Sequence, residues 1–212
     1  MLKGGVLPAP GHFTKKNPEA SAAALQDVFD AVAEWGHGPT LTDHLYNDMP
    51  HNFTHAWRTK EAKERREQEL EEMDLGSWSL SNLESKVGIV PATMIRNAHK
   101  GIVKLALNFD GEHVDLAVVR RTVELVGAEN LMMMTDSIES KRLAGRQLVM
   151  RKGSSLLYQE EGVVAAGSQN VSKQISNMLR IGLSTDQIRL ITEGVPTQLL
   201  KLRHSFTTSK NI

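Results

Sequence analysis

The chain has 212 residues, 25 Lys+Arg against 25 Asp+Glu, and no cysteine. The length allows one domain with a sizeable core, and the charge balance excludes a global field favouring nucleic acid or an anionic membrane. Without thiols there are no disulfides or thiolate metal sites, which leaves His, Asp and Glu as the available metal ligands.

Residues 1–5 lack the apolar core of a signal peptide, and no apolar run approaches the roughly 20 residues that span a bilayer. A cytoplasmic protein with neither nucleic-acid nor membrane partners is expected. Residues 4–10 are short, apolar and bounded by Gly and Pro, so they read as a buried strand with His12 just past its end. Asn17-Pro18-Glu19 is a helix start, with Asn as cap and Pro in the first turn. Ala22, Leu25, Val28, Phe29, Val32 and Ala33 follow at helical spacing, and Gly36 ends the helix. Residues 40–46 form the next apolar run and deliver His44, Asn47 and Asp48 before Pro50 stops it. Strand, helix, strand makes a βαβ unit, and parallel strands would bring His12 and His44 to one rim, a geometry that suits two ligands of one metal ion.

Residues 59–74 are almost wholly charged, with opposite-charge pairs at four-residue spacing, and read as a solvated surface helix. The Ser-rich residues 75–86 read as a loop carrying Trp78, and residues 90–98 as a short helix. Residues 101–107 are a clean strand candidate leading into Asp110-Gly111-Glu112-His113. Residues 116–126 read as a helix with Arg120 and Arg121 outward, and residues 130–134 as a strand ending at Thr135-Asp136, its Met132-Met133-Met134 triplet filling core. Residues 146–150, 154–158 and 162–166 form a small β meander. Helices over 169–181, 185–193 and 196–202 follow, then a polar tail.

Five segments, in this order and approximate spacing, resemble the C-terminal part of the N-acetylglucosamine-6-phosphate deacetylases, metal-dependent TIM barrels of the amidohydrolase superfamily. They are Gly11-His12, His44-Leu45-Tyr46-Asn47 with Met49-Pro50, Asp110-Gly111-x-His113-Val114-Asp115, Thr135-Asp136, and residues 162–168 before the helix that follows. The resemblance implies an α/β fold: a partial TIM (β/α) barrel of strands five to eight over 1–140, the meander over 141–167, and helices over 168–212 returning to the barrel. It implies His12 and His44 as ligands of a divalent metal, zinc being the expected ion, and Asp136 as the catalytic base. Asn47, Asp48, Arg58 and His113 become the residues facing an amino-sugar substrate, phosphorylated or not.

The chain also departs from that pattern. The family's metal-binding Glu lies on a fourth strand that this sequence does not include. Asp43 stands where Thr is usual, and Asp48 where a small residue's backbone helps hold the phosphate. Arg58 falls a few residues late for the phosphate-binding Arg, and residues 59–98 read as a large charged insertion. Two alternatives to hydrolysis stay open: a noncatalytic remnant without the full metal site, and an assembly subunit using the charged helix as a contact arm. Either a homo-oligomer or pairing with a missing N-terminal half is expected, because an open half-barrel exposes strand edges.

Overall fold

The structure, a computed structural model, describes residues 6–53 and 60–208. Helix α1 spans Pro18–Trp35, and the Asn17 side chain accepts from the Ala20 N–H at its start. Gly36 ends it with φ 70°, a conformation that costs a glycine nothing. Strand β1 (Thr40–His44) follows, then α2 (Lys60–Glu72), α3 (Leu83–Val87), α4 (Ile89–His99), β2 (Val103–Leu107), α5 (Leu116–Val126) and β3 (Leu131–Met133). These strands form a three-stranded parallel sheet in the order β1-β2-β3. A second half of the chain adds the hairpin β4 (Arg142–Leu143) with β5 (Arg146–Gln147), and the antiparallel sheet β6 (Val149–Met150), β7 (Leu156–Tyr158) and β8 (Val164–Gly167). Helices α6 (Val171–Arg180), α7 (Thr185–Arg189) and α8 (Val195–Thr208) close the chain.

The α/β class and the meander agree with the sequence reading, but the parallel sheet is open and does not close into a barrel. The first expected strand is also absent over the described residues 6–10. That segment lies along β1 instead, with the Asp43 N–H donating to the Pro10 carbonyl at 3.0 Å and the Thr40 hydroxyl to the Pro8 carbonyl. Prolines 8 and 10 have no N–H to donate, so a regular ladder cannot form there.

β2 is buried along its whole length, as the middle strand of a sheet covered by helices should be. β3 is the other edge, and Met132 to Met134 are only half-buried, so the triplet does not fill the core as expected. The core gathers Phe29, Leu45, Tyr46, Trp78, Met94, Ile95, Leu105, Leu107 and Phe109, all at 2% exposure or less. Each such side chain contributes about 1.5–3 kcal/mol by leaving water.

The stretch read as one charged insertion divides in two. α2 carries the charge, whereas Leu83, Val87 and most of α4 lie in the core. The expected Ser-rich loop is a 3₁₀ turn (Leu75–Ser77) followed by α3, because Asn82 donates to the Ser77 carbonyl and accepts from the Ser79 N–H. This buries Trp78. Arg121, expected outward, donates to the Trp78 carbonyl. At the C-terminus, the two expected helices meet without a break: a π turn (Leu190–Gly194) joins α7 to α8.

Candidate metal centre

In a parallel sheet all strands end at one rim, so the C-terminal ends of β1, β2 and β3 present His44, Asp110 to His113, and Asp136 on the same side. The segment after β1 turns sharply there, with Tyr46 at φ 72° and Asp48 at φ 43°. Tyr46 anchors it from below: its ring is fully buried and its hydroxyl meets the Thr122 hydroxyl on α5 at 2.9 Å. Burial pushes the Tyr46 phenol well above its ordinary value.

Two groups of side chains form on this rim. In the first, His12 Nε2 lies 3.2 Å from Asp43 Oδ2, and His44 Nε2 lies 3.9 Å from the same oxygen. The two imidazole rings meet edge to face with centroids 4.9 Å apart. Ligand atoms of His12, Asp43 and His44 all fall within 4.8 Å of one another, a set able to hold a metal ion. A tetrahedral ion with N and O ligands at about 2.0–2.2 Å places them roughly 3.3–3.5 Å apart, so 3.2 and 3.9 Å bracket the requirement. The donor set therefore fits a divalent cation. On its far side His12 Nδ1 is 3.0 Å from Asp48 Oδ2, and Lys15 Nζ is 3.2 Å from Asp48 Oδ1. The hydrogen bond to Asp48 and the nearby Asp43 and Asp136 charges raise His12; the same bond and Lys15 lower Asp48.

In the second group, Asp110 accepts from the backbone N–H groups of Glu112 and His113 through Oδ1, while its Oδ2 lies 2.6 Å from His113 Nδ1. His113 Nε2 then points at Asp136, 3.2 Å from Oδ2. Burial opposes charge on both members of the His113–Asp110 pair, yet their mutual contact outweighs it, holding His113 above and Asp110 below its ordinary value. Asn47 donates to Asn108 Oδ1 at 3.0 Å and to Asp136 Oδ2 at 3.3 Å. Asp136 itself sits at φ 45°, with its carbonyl accepting from the Gly167 N–H. A Cβ at Gly167 would stand 3.1 Å from His113 Cε1, tighter than an ordinary contact, so glycine eases the close passage of β8. From below, α6 sends buried Gln174 to the Phe109 N–H and the Thr135 carbonyl, and Asn177 to the Phe109 and Asp110 carbonyls.

Of the residues singled out from sequence, His12 and His44 come together, as do Asn47, His113 and Asp136. Asp48 is beside His12 and Lys15. Arg58 lies outside the described residues. Sequence reading missed the roles of Asp110, Asn108, Gly167, Gln174 and Asn177; the short Asp110-x-x-His113 spacing was the one local signal. It also missed Arg66, which reaches from α2 to the Gly111 and Glu112 carbonyls and to Asp115 Oδ2, and is only 3% exposed. Among the described residues no helix is long and apolar enough to cross a membrane.

No protein-family model matches the chain, and no curated protein does. Solved structures do. The N-acetylglucosamine-6-phosphate deacetylase of Pasteurella multocida superposes with a TM-score of 0.55 at 17% identity, covering 84% of this chain and 39% of that one. A mutant of the Mycobacterium smegmatis enzyme, in complex with N-acetyl-D-glucosamine-6-phosphate, gives 0.54 at 17% identity over 90% of this chain and 40% of its own. The Thermotoga maritima enzyme gives 0.51 at 16% identity over 90% and 42%. The chain thus shares a fold with these deacetylases and spans about two fifths of their length.

Proposed function

We propose that this chain carries the metal-binding and proton-transfer half of an amidohydrolase that removes the N-acetyl group of an amino sugar. The sheet would then be strands of a (β/α) barrel, completed by a second copy or by a separate N-terminal half. The observation that carries the reading is convergence: Asp136, His113 and Asn47 lie together on the rim that also holds His12 and His44. The shared fold with deacetylases supports it.

His12 and His44 would hold a divalent cation, with zinc suited to imidazole and carboxylate donors. When bound, such a cation polarises an amide carbonyl and acidifies water. Asp136 takes the proton from the attacking water and returns it to the leaving amine nitrogen. His113, fixed at Nδ1 by Asp110, directs Nε2 toward Asp136 and the bound amide. Asn47 holds the second face of the Asp136 carboxylate and contacts the sugar. Lys15, paired with Asp48, provides a cation for a phosphorylated substrate. A cytoplasmic setting suits a chain without cysteine.

The test is hydrolysis of N-acetylglucosamine-6-phosphate by the zinc-loaded chain, alone and mixed with a chain supplying the missing barrel strands. Asp136→Asn is expected to lower turnover by about 10³-fold while leaving metal bound. Full turnover in that variant overturns the assignment. The open sheet favours one other reading, a noncatalytic metal-binding remnant. Stoichiometric metal with no hydrolysis in either mixture would select it.

A further inference from the structure

We infer that Asp43 is the third metal ligand, so that His12, Asp43 and His44 make a complete protein ligand set within this chain. The inference rests on the proposed reading of His12 and His44 as ligands.

Adjacent strand residues ordinarily point to opposite faces, and Asp43 and His44 meet only at the strand end, around the Asp43 Oδ2. The pairing of β1 with β2 is irregular there: Leu41 aligns with Lys104 but His44 with Ala106, three residues against two. The extra residue is a bulge, which disrupts the ladder and sharpens the twist beside Asp43 and His44 while burial along β1 still alternates. Asp43 Oδ1 accepts from the His44 N–H at 2.9 Å, which fixes the carboxylate and leaves Oδ2 facing both imidazoles.

Two further observations converge on the same point, beside a His44 that is 8% exposed and turns Nε2 toward Asp43 Oδ2. A Cβ at Gly11 would stand 2.3 Å from the Asp43 Cβ, so glycine there is what allows the His12 segment to lie on Asp43. His12 Nδ1 is held by the Asp48 carboxylate, which leaves Nε2 directed at the shared centre. A carboxylate behind a ligating imidazole fixes its tautomer and orientation, so Asp48 is a positioning residue here. Two His and one carboxylate leave a coordination position open, as catalytic zinc sites do.

The test is titration of the metal-free chain with zinc and, separately, with cobalt(II), whose visible absorption reports coordination. The wild-type chain is expected to bind one equivalent. Losing an outer-shell partner costs about 10–100-fold in affinity, so Asp43→Asn, which removes a ligand, should cost at least about 100-fold and Asp43→Glu should recover part of it. His44→Gln serves as the control, and circular dichroism of each metal-free variant establishes that it is folded. Tight binding by folded Asp43→Asn, with binding lost in His44→Gln, overturns the role of Asp43 and leaves the imidazole pair standing. No metal in the wild-type chain overturns both.

Discussion

The two groups on the rim are built to different standards. Around Asp136 the side chains are sunk and cross-braced: His113 is 5% exposed, its Asp110 partner 1%, and α6 pins the loops beneath. Around His12 they are open, with His12 59% and Asp48 58% exposed, and charge pairs in place of packing. The difference follows from position. His113 and Asp136 follow the central and far strands, with β8 alongside and α6 hydrogen-bonded to the loops beneath them. His12 follows a segment that is not a strand over residues 6–10, and among the described residues Asp43, Asp48 and a ring contact with His44 hold it. On the proposed reading the difference has a use: a proton-transferring group gains from fixed geometry, whereas a metal ligand that its cation draws in needs less support beforehand.

The contrast can be broken most severely at Asp110. Removing one partner of a buried pair leaves the other charge uncompensated, so Asp110→Ala should cost about 3–5 kcal/mol in urea unfolding. Asp48→Ala at the open group should fall within about 1 kcal/mol, since exposed pairs contribute little. Equal losses would erase the distinction.

The pH dependence separates the groups as well. His113 is raised, so its contribution is fully present below about 6.5, its ordinary value, and is lost as pH climbs through its higher folded value. Asp110 is lowered, so its contribution is present above its ordinary 3.8 and is lost as pH drops through its lower folded value. The pair is therefore strongest between about pH 4 and 6.5. His51, beside the open group, is pushed by burial to about 4. Its contribution, roughly 3 kcal/mol, is present above pH 6.5 and disappears on acidification toward 4. Unfolding of His51→Gln should lack that acid loss, while His113→Gln should retain it and lose the mid-acid maximum.

A smaller effect is expected at the glycines. Gly167→Ala brings a Cβ to 3.1 Å from His113 Cε1 and should cost about 1–3 kcal/mol by overpacking, measured by thermal unfolding. Gly11→Ala would put a Cβ 2.3 Å from the Asp43 Cβ, which forces the segment or Asp43 to move, so its cost should be at least comparable and zinc binding should weaken with it.

Much of this was legible in the chain. The Asn17-Pro18 start and Gly36 stop of α1 are local chemistry, and so is the Asp115 cap of α5, which accepts from the Ala117 N–H. The apolar runs of β1 and β2 mark themselves, as do the polar clusters that follow them. Harder were the places where a local pattern was overruled. Trp78 looked like a loop residue because its neighbours are serines. Arg66 looked solvated because α2 is charged throughout, yet it ends among the carbonyls of the loop after β2.

The amino-acid sequence by itself determined the start and stop of α1, the start of α5, the apolar runs of β1 and β2, and which polar residues stand at their ends, because caps, prolines and hydrophobic spacing act within a few residues. Only the tertiary structure decided that Asp43 shares a centre with His12 and His44, and that Asp110 braces His113 against Asp136. Those meetings depend on how separate segments pack, with glycine 11 permitting the His12 segment to lie on Asp43 and glycine 167 easing the passage of β8 beside His113. Register and contact distance are properties of paired segments, and no single segment carries them.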